Sequence, residues 1–244
     1  MIIQSHIVDL PTPTGTMRTY VHRPAGERRH PAILFYSEIF QQTGPIERAA
    51  KIMAGHGYAV LVPEVFHELN PIGTVLAYDD AGREKGNADK AAKDVQGYNS
   101  DNAAMIAYAK QQSWCSGAIG AMGFCIGGHL AFRAALQPEV LATACFYATD
   151  LHTSTIPNRP GQHSMERLAD IKGELLMIWG KQDNHIPSAG RLEVYQKLTA
   201  QGLSFTWHEF NGQHAFMRDE GERYDPQLAQ TGYQLALQLF GRTL

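Results

Sequence analysis

The most informative segment of this chain is Gly123-Phe124-Cys125-Ile126-Gly127-Gly128. The apolar run 117–122 before it is typical of a buried strand, and the run 129–137 after it is typical of a helix that Pro138 ends. A strand, a Gly-x-Cys-x-Gly turn and a helix together predict a nucleophile elbow that carries sulfur in place of the more common oxygen. The glycines two residues before and after the cysteine suit a turn that leaves no room for side chains.

The pattern has two interpretations when it is taken alone. In the functional one, the helix after Cys125 points its N-terminus at the sulfur, which favours the thiolate over the thiol. In the other, the segment is a glycine-rich turn beside a core cysteine, because a bare Gly-x-Cys-x-Gly also occurs by chance. The remainder of the chain has to decide between them.

The composition is that of an ordinary globular chain, with 244 residues, 44% hydrophobic and 18% charged. The formal net charge of −3 gives no reason to expect nucleic-acid or membrane partners, and no segment approaches the ~20 apolar residues of a membrane span. The N-terminus lacks a signal-peptide pattern, and three cysteines do not make a disulfide framework. We therefore expect a cytoplasmic monomer or small homo-oligomer.

Short apolar runs alternate with helical patterns along most of the chain, which predicts an α/β fold in a single domain, 1–244. We expect about eight strands in a mostly parallel sheet flanked by helices. The irregular segment 148–171 is too short for a large lid domain, so we expect an open pocket. The polar segment 69–99 has no clear period, and it is interpreted as a loop-rich, solvated insertion with some helix.

A cysteine nucleophile needs a base and a group that orients the base. Asp183 follows the predicted strand 174–179, and His214 follows the predicted strand 203–210. The order nucleophile, acid, histidine is that of the α/β-hydrolase fold, and all three would lie at the carboxyl ends of strands. His185 is a rival base close to Asp183, but the base is expected in the loop after the next strand.

The sequence resembles the dienelactone hydrolases, also called carboxymethylenebutenolidases, from about residue 32 to residue 240. The resemblance rests on the elbow around Cys125, on Gly180-x-x-Asp183, on His214-Ala215-Phe216 and on the pair Glu38-Ile39. It implies an α/β-hydrolase fold and hydrolysis of a small ester or lactone through a thioester on Cys125. Neither a metal nor another cofactor is expected.

The resemblance also implies roles for residues around the triad. Glu38 would hold the thiol in the resting enzyme and help to release its proton, and the N–H groups of Ile39 and Ile126 would form the oxyanion hole. Arg218 would bind a substrate carboxylate through its planar fork. Arg83 is the nearest candidate for a second arginine, although its surroundings match the family poorly.

Other functions stay open at this point. The same triad would serve a general carboxylesterase or thioesterase. A non-catalytic binding or sensor protein on a hydrolase fold is a further alternative, although the three triad residues are all present. A redox-sensing cysteine is the last, but no resolving cysteine is near Cys125 in the sequence.

Overall fold

Eight strands form one sheet through the centre of the molecule, which a computed structural model describes over all residues, 1–244. The strand order is β1-β2-β4-β3-β5-β6-β7-β8, and only the β1–β2 and β2–β4 pairs are antiparallel. The strands are β1 Ile3–Thr12, β2 Gly15–Pro24, β3 His30–Tyr36, β4 Ala59–Pro63, β5 Cys115–Phe124, β6 Val140–Phe146, β7 Glu174–Gly180 and β8 Phe205–Phe210. This mostly parallel sheet confirms the predicted α/β-hydrolase fold.

Six α-helices connect the strands: α1 Gly44–Gly55, α2 Asp80–Ala92, α3 Val95–Gln111, α4 Ile126–Ala134, α5 Ser188–Gln201 and α6 Pro226–Thr243. Helices cover the central strands, so that β4 is buried along its whole length. One continuous core of 66 buried hydrophobic residues results. No helix here combines the length and the apolar character that a membrane span needs.

The polar segment 69–99 differs from the loop-rich insertion that the sequence predicts. Its second half forms α2 and the first turn of α3, while residues 69–79 are irregular. Helix α2 buries almost no apolar side chain, and it packs through glycine: a Cβ on Gly86 would lie 2.7 Å from the carbonyl oxygen of Ile39. The prediction included some helix but underestimated its extent, because close backbone approach leaves no apolar period in a sequence.

The segment 148–171 is irregular, as predicted, and contains two short 3-10 turns, Ser164–Glu166 and Leu168–Asp170. Arg133 fastens it to α4 through the carbonyl of Gln162 and the hydroxyl of Ser164, each 3.0 Å away. A separate lid domain is therefore not built from this segment. The carboxyl edge of the sheet is bounded by loops and by α2.

Candidate active site

The loops after five parallel strands meet at the carboxyl edge of the sheet. Glu38 follows β3, Cys125 follows β5, Tyr147 follows β6, Asp183 follows β7 and His214 follows β8. Parallel strands all end at the same edge, so residues far apart in the chain come together there. Residues that are far apart in the chain therefore form one cluster of side chains at this edge.

Cys125 lies on a sharp turn between β5 and α4. Its φ of 61° and ψ of −124° are a conformation that a non-glycine residue seldom adopts. A Cβ on Gly123 would overlap the carbonyl oxygen of Gly127, and one on Gly127 would overlap the carbonyl oxygen of Tyr36. The two glycines therefore permit the turn, and the thiol of Cys125 is left half-buried at the cavity.

Asp183 is paired with His214 and not with the ring of His185. The Nδ1 atom of His214 lies 2.7 Å from Oδ2 of Asp183. The other carboxylate oxygen accepts a hydrogen bond of 2.8 Å from the backbone N–H of His185. Both oxygens are thus engaged, and the carboxylate fixes the orientation of the His214 ring.

His214 has a higher pKa than an ordinary histidine. Burial acts to lower the pKa of His214, but the charge of Cys125 and the hydrogen bond to Asp183 raise it to about 10. An imidazole with this pKa is protonated at neutral pH when a thiolate faces it. The neighbouring ring of His185, with its centroid 4.6 Å away, behaves differently, since burial lowers the pKa of His185.

Glu38 is a buried carboxylate without a close partner. Only 3% of its surface is exposed, and its Oε2 atom accepts no hydrogen bond. The nearest cation is Arg218, whose Nη1 atom is 3.6 Å from Oε2, beyond hydrogen-bond distance. Burial raises the pKa of Glu38, although Arg218 and His214 partly oppose the shift. Such a carboxyl can take up a proton more readily than an exposed one.

Arg218 is held by aromatic rings as well as by Glu38. Its guanidinium lies 4.3 Å from the ring centroid of Tyr78 and 5.9 Å from that of Phe40. The hydroxyl groups of Tyr78 and Thr43 are 2.7 Å apart, which fixes the Tyr78 ring. The segment predicted to be a solvated insertion therefore supplies a platform for this arginine.

The backbone N–H groups of Ile39 and Ile126 are both free of acceptors in the turns and helix caps. Ile126 directly follows Cys125 and begins α4, while Ile39 lines the cavity. An oxyanion hole requires two such donors close to the nucleophile. The structure thus brings the two predicted donors to the same end of the sheet.

A cavity of about 800 Å³ adjoins Cys125 and His214. Only five of its 23 lining residues are hydrophobic, so it suits a polar or charged molecule better than an apolar one. Arg83 also lines it, but the side chain is 59% exposed and lies 3.0 Å from Asp80. No group of three or more His, Cys, Asp or Glu side chains is arranged to hold a metal ion.

Sequence reasoning missed Tyr147. Its φ of 37° is strained, its side chain is fully buried, and its hydroxyl has no hydrogen-bond partner. The ring packs edge-on against His214, with 5.0 Å between centroids. The only signal in the sequence was an aromatic residue at the end of an apolar strand, which is indistinguishable from a core residue.

Known proteins provide three comparisons. The model of the dienelactone hydrolase family matches residues 17–244. A Saccharomyces cerevisiae protein provisionally named carboxymethylenebutenolidase is 36% identical, and the match covers 100% of this chain and 93% of the yeast protein. The carboxymethylenebutenolidase of Pseudomonas putida is 27% identical over 80% of this chain and 78% of its own length.

The fold is also similar to that of a solved structure. The crystal structure of a provisionally named dienelactone hydrolase from Klebsiella pneumoniae superimposes with a TM-score of 0.83 and 21% identity, and the match covers 99% of each chain. The structural match supports the fold, and the family match extends over nearly the whole chain. This chain therefore belongs to the dienelactone hydrolase family of α/β-hydrolases and is a hydrolase that acts on ester bonds.

Proposed function

We propose that this enzyme hydrolyses a small, carboxylate-bearing ester or lactone through a thioester on Cys125. The observation that carries the proposal is the left-handed Cys125 at the elbow, which faces the same cavity as the Asp183–His214 pair. The raised pKa of His214 supports an imidazolium that stabilises the attacking thiolate. A cavity with few hydrophobic lining residues supports a charged substrate over a neutral apolar one.

The first half of the reaction forms the thioester. The thiolate of Cys125 attacks the ester carbonyl carbon, and the oxyanion accepts hydrogen bonds from the N–H groups of Ile39 and Ile126. The carbon–oxygen bond then breaks, and the leaving alkoxide or enolate takes the proton of His214. In a lactone the leaving oxygen stays attached to the acyl group, so the ring opens.

The second half regenerates the thiol site. Neutral His214, oriented by Asp183, removes a proton from water, and the hydroxide adds to the thioester carbonyl. Collapse of the second tetrahedral intermediate breaks the carbon–sulfur bond and releases the carboxylic acid. The protonated His214 then faces a thiolate again, so atoms and charge balance over the cycle.

Glu38 and Arg218 would link substrate charge to the state of the thiol. Glu38 lines the same cavity as Cys125, and burial raises the pKa of Glu38, so this carboxyl would be able to take a proton from the thiol. When a substrate carboxylate binds the guanidinium of Arg218, the effect of that positive charge on the protonation of Glu38 changes. This coupling would favour an active thiolate when an acidic substrate is bound.

The test is a panel of acidic lactones, including dienelactones, and neutral p-nitrophenyl esters, assayed with the parent enzyme and with Cys125→Ser. We expect a higher kcat/KM on the acidic substrates and a large loss in the variant. A clear preference for the neutral esters would favour a general carboxylesterase with the same triad. Parent-like turnover by Cys125→Ser would exclude the thioester mechanism.

A further inference from the structure

Two cations that line the cavity are already neutralised by carboxylates. Arg83 is paired with Asp80 at 3.0 Å, and Lys90 is paired with Asp150 at 3.0 Å. Asp150 is well held, because its carboxylate also accepts a hydrogen bond from Thr155. An anion that enters the cavity therefore gains little binding free energy from Arg83 or Lys90, because each cation is already paired.

Arg223 is in a different position. It lines the cavity that holds Cys125 and His214, and no carboxylate lies within ion-pair distance of its guanidinium. Its charge reaches the interior of the site only weakly, since it contributes to lowering the pKa of Glu38 behind Arg218 and His214, all against the larger effect of burial. It also contributes to lowering the pKa of His185, behind burial and the charge of His214. Arg223 is thus an exposed, unpaired cation at the cavity.

The carboxylates nearest in sequence to Arg223 are largely engaged elsewhere. Arg48 of α1 forms ion pairs with Asp219 at 2.6 Å and with Glu220 at 2.7 Å. These two ion pairs, the Arg48 latch, neutralise both carboxylates and connect the loop to the helix. Glu222 and Asp79 also line the cavity and make no ion pair, so both oppose an anion.

The loop around Arg223 is also anchored at its far end. The backbone N–H of Asp225 donates to the carbonyl oxygen of Phe216 at 3.1 Å. The side chain of Asp225 caps α6 by accepting from the N–H groups of Gln227 and Leu228, each at 3.0 Å. With the Arg48 latch before it and this cap after it, Arg223 is held at the cavity rim.

We infer that Arg223 is a specificity-determining residue that selects anionic substrates at the cavity, where Arg83 is already paired with Asp80. The inference rests on the proposed preference for carboxylate-bearing substrates. Arg218 would bind the carboxylate near the reacting carbon, and Arg223 would attract and hold the anion from the opening. A guanidinium without a partner has its full charge and its donors available for this role.

The test uses two alkylating reagents of similar size and the same chemistry but different charge, anionic iodoacetate and neutral iodoacetamide. The rate of Cys125 modification by each is followed by mass spectrometry of the peptide that contains it. The ratio of the two rates measures how strongly the cavity favours an anion, and it needs no ester hydrolysis. A failure of the proposed function therefore shows itself separately, as alkylation of Cys125 in a protein that hydrolyses no ester.

We expect Arg223→Ala to lower the iodoacetate-to-iodoacetamide ratio about three- to fivefold, at the upper end for loss of an exposed charged contact. Arg223→Lys should keep most of the ratio, and Arg83→Ala should leave it within twofold of the parent. Glu222→Gln, which removes an opposing charge, should raise the ratio or leave it unchanged. An unchanged iodoacetamide rate shows that the elbow is intact in each variant.

Two results would overturn the inference: a ratio in Arg223→Ala within twofold of the parent, or a larger fall in Arg83→Ala than in Arg223→Ala. If Arg223→Ala does not fold, Arg223→Gln keeps the length and polarity of the side chain without its charge. The same fall in ratio is expected for that variant, and a parent-like ratio would contradict the assignment.

Discussion

Two buried histidine–aspartate pairs in this protein have different surroundings. His214 lies 2.7 Å from Asp183 and faces a cavity that also holds Cys125. His67 lies 3.1 Å from Asp101, in a part of the fold that contributes nothing to the lining of that cavity. The residue types are the same, but only the first pair has a thiol beside it.

The second pair is enclosed by other charges. Lys93 lies 2.6 Å from Asp101 and 2.8 Å from Glu68, and it also donates to the carbonyl oxygen of Val65 at 2.8 Å. These contacts tie the start of α3 to the loop after β4. A lysine closes the His67–Asp101 pair, as in a structural clamp, whereas a cavity and a thiol face the His214–Asp183 pair, as the proposed mechanism requires.

The largest expected effect comes from removing the thiol. Cys125→Ala should abolish measurable hydrolysis and leave the free energy of unfolding nearly unchanged, because alanine tolerates the left-handed turn about as well as cysteine does. Ester hydrolysis and urea unfolding of the two proteins check this. Turnover near the parent value would remove Cys125 from the mechanism.

The two aspartates then separate the pairs directly. Asp183→Asn should lower kcat by about 10⁴-fold with little change in binding, because Asn stabilises the wrong tautomer of the histidine in a comparable triad. Asp101→Asn is the matched control at the other pair, and its kcat should stay within a few-fold of the parent. A loss below tenfold in Asp183→Asn would mean that another carboxylate orients His214.

Asp101→Asn should instead reduce stability. It removes one charged partner of Lys93, which keeps Glu68, so we expect a loss of about 1–3 kcal/mol in the free energy of unfolding. Urea midpoints of the Asp101 and Asp183 variants provide the measurement. If Asp101→Asn were as stable as the parent, the second pair would not be a clamp.

A smaller effect is expected at Glu38. Glu38→Gln should lower kcat by about 10²-fold, at the lower end of general acid–base effects, and should change how Cys125 alkylation depends on pH. Burial raises the pKa of Glu38, so the parent carboxyl takes part in the titration at higher pH than an exposed one. Identical alkylation profiles from pH 5 to 9 would show that the two side chains do not interact.

The smallest expected effect is a change in a titration curve. The charge of Cys125 is the strongest influence that raises the pKa of His214, and burial opposes it. In Cys125→Ala the pKa of His214 should therefore fall below the parent value of about 10, so that the ring loses its proton at lower pH. NMR titration of the His214 imidazole in both proteins measures this pKa. Equal pKa values would mean that the thiol does not influence His214.

Local chain chemistry explains why the elbow and the order of the triad were predictable. Glycines at 123 and 127 and a cysteine between a strand and a helix are adjacent in sequence, so their geometry follows from the turn itself. Asp183 and His214 follow directly after strands whose apolar runs are easy to see. The fold then determines where these residues meet.

The features that escaped prediction depend on contacts between distant residues. The glycine contact of α2 with Ile39 leaves no pattern in the sequence. Arg48 lies 171 positions before Asp219, so the latch at the cavity rim cannot be inferred from either neighbourhood. Arg83 does line the cavity, but its ion pair with Asp80, three residues earlier, follows only from the helix that this polar segment forms.

The central claim is that Cys125 forms a thioester during turnover, and acid quenching tests it most directly. The parent enzyme is mixed with p-nitrophenyl acetate, quenched within seconds and digested, and the peptides are analysed by mass spectrometry, with Cys125→Ala as the control. The account expects an acetyl group on Cys125 in the parent and none on the corresponding peptide of the variant. Hydrolysis at the parent rate with no acyl group on Cys125, or with the acyl group on another residue, would contradict it.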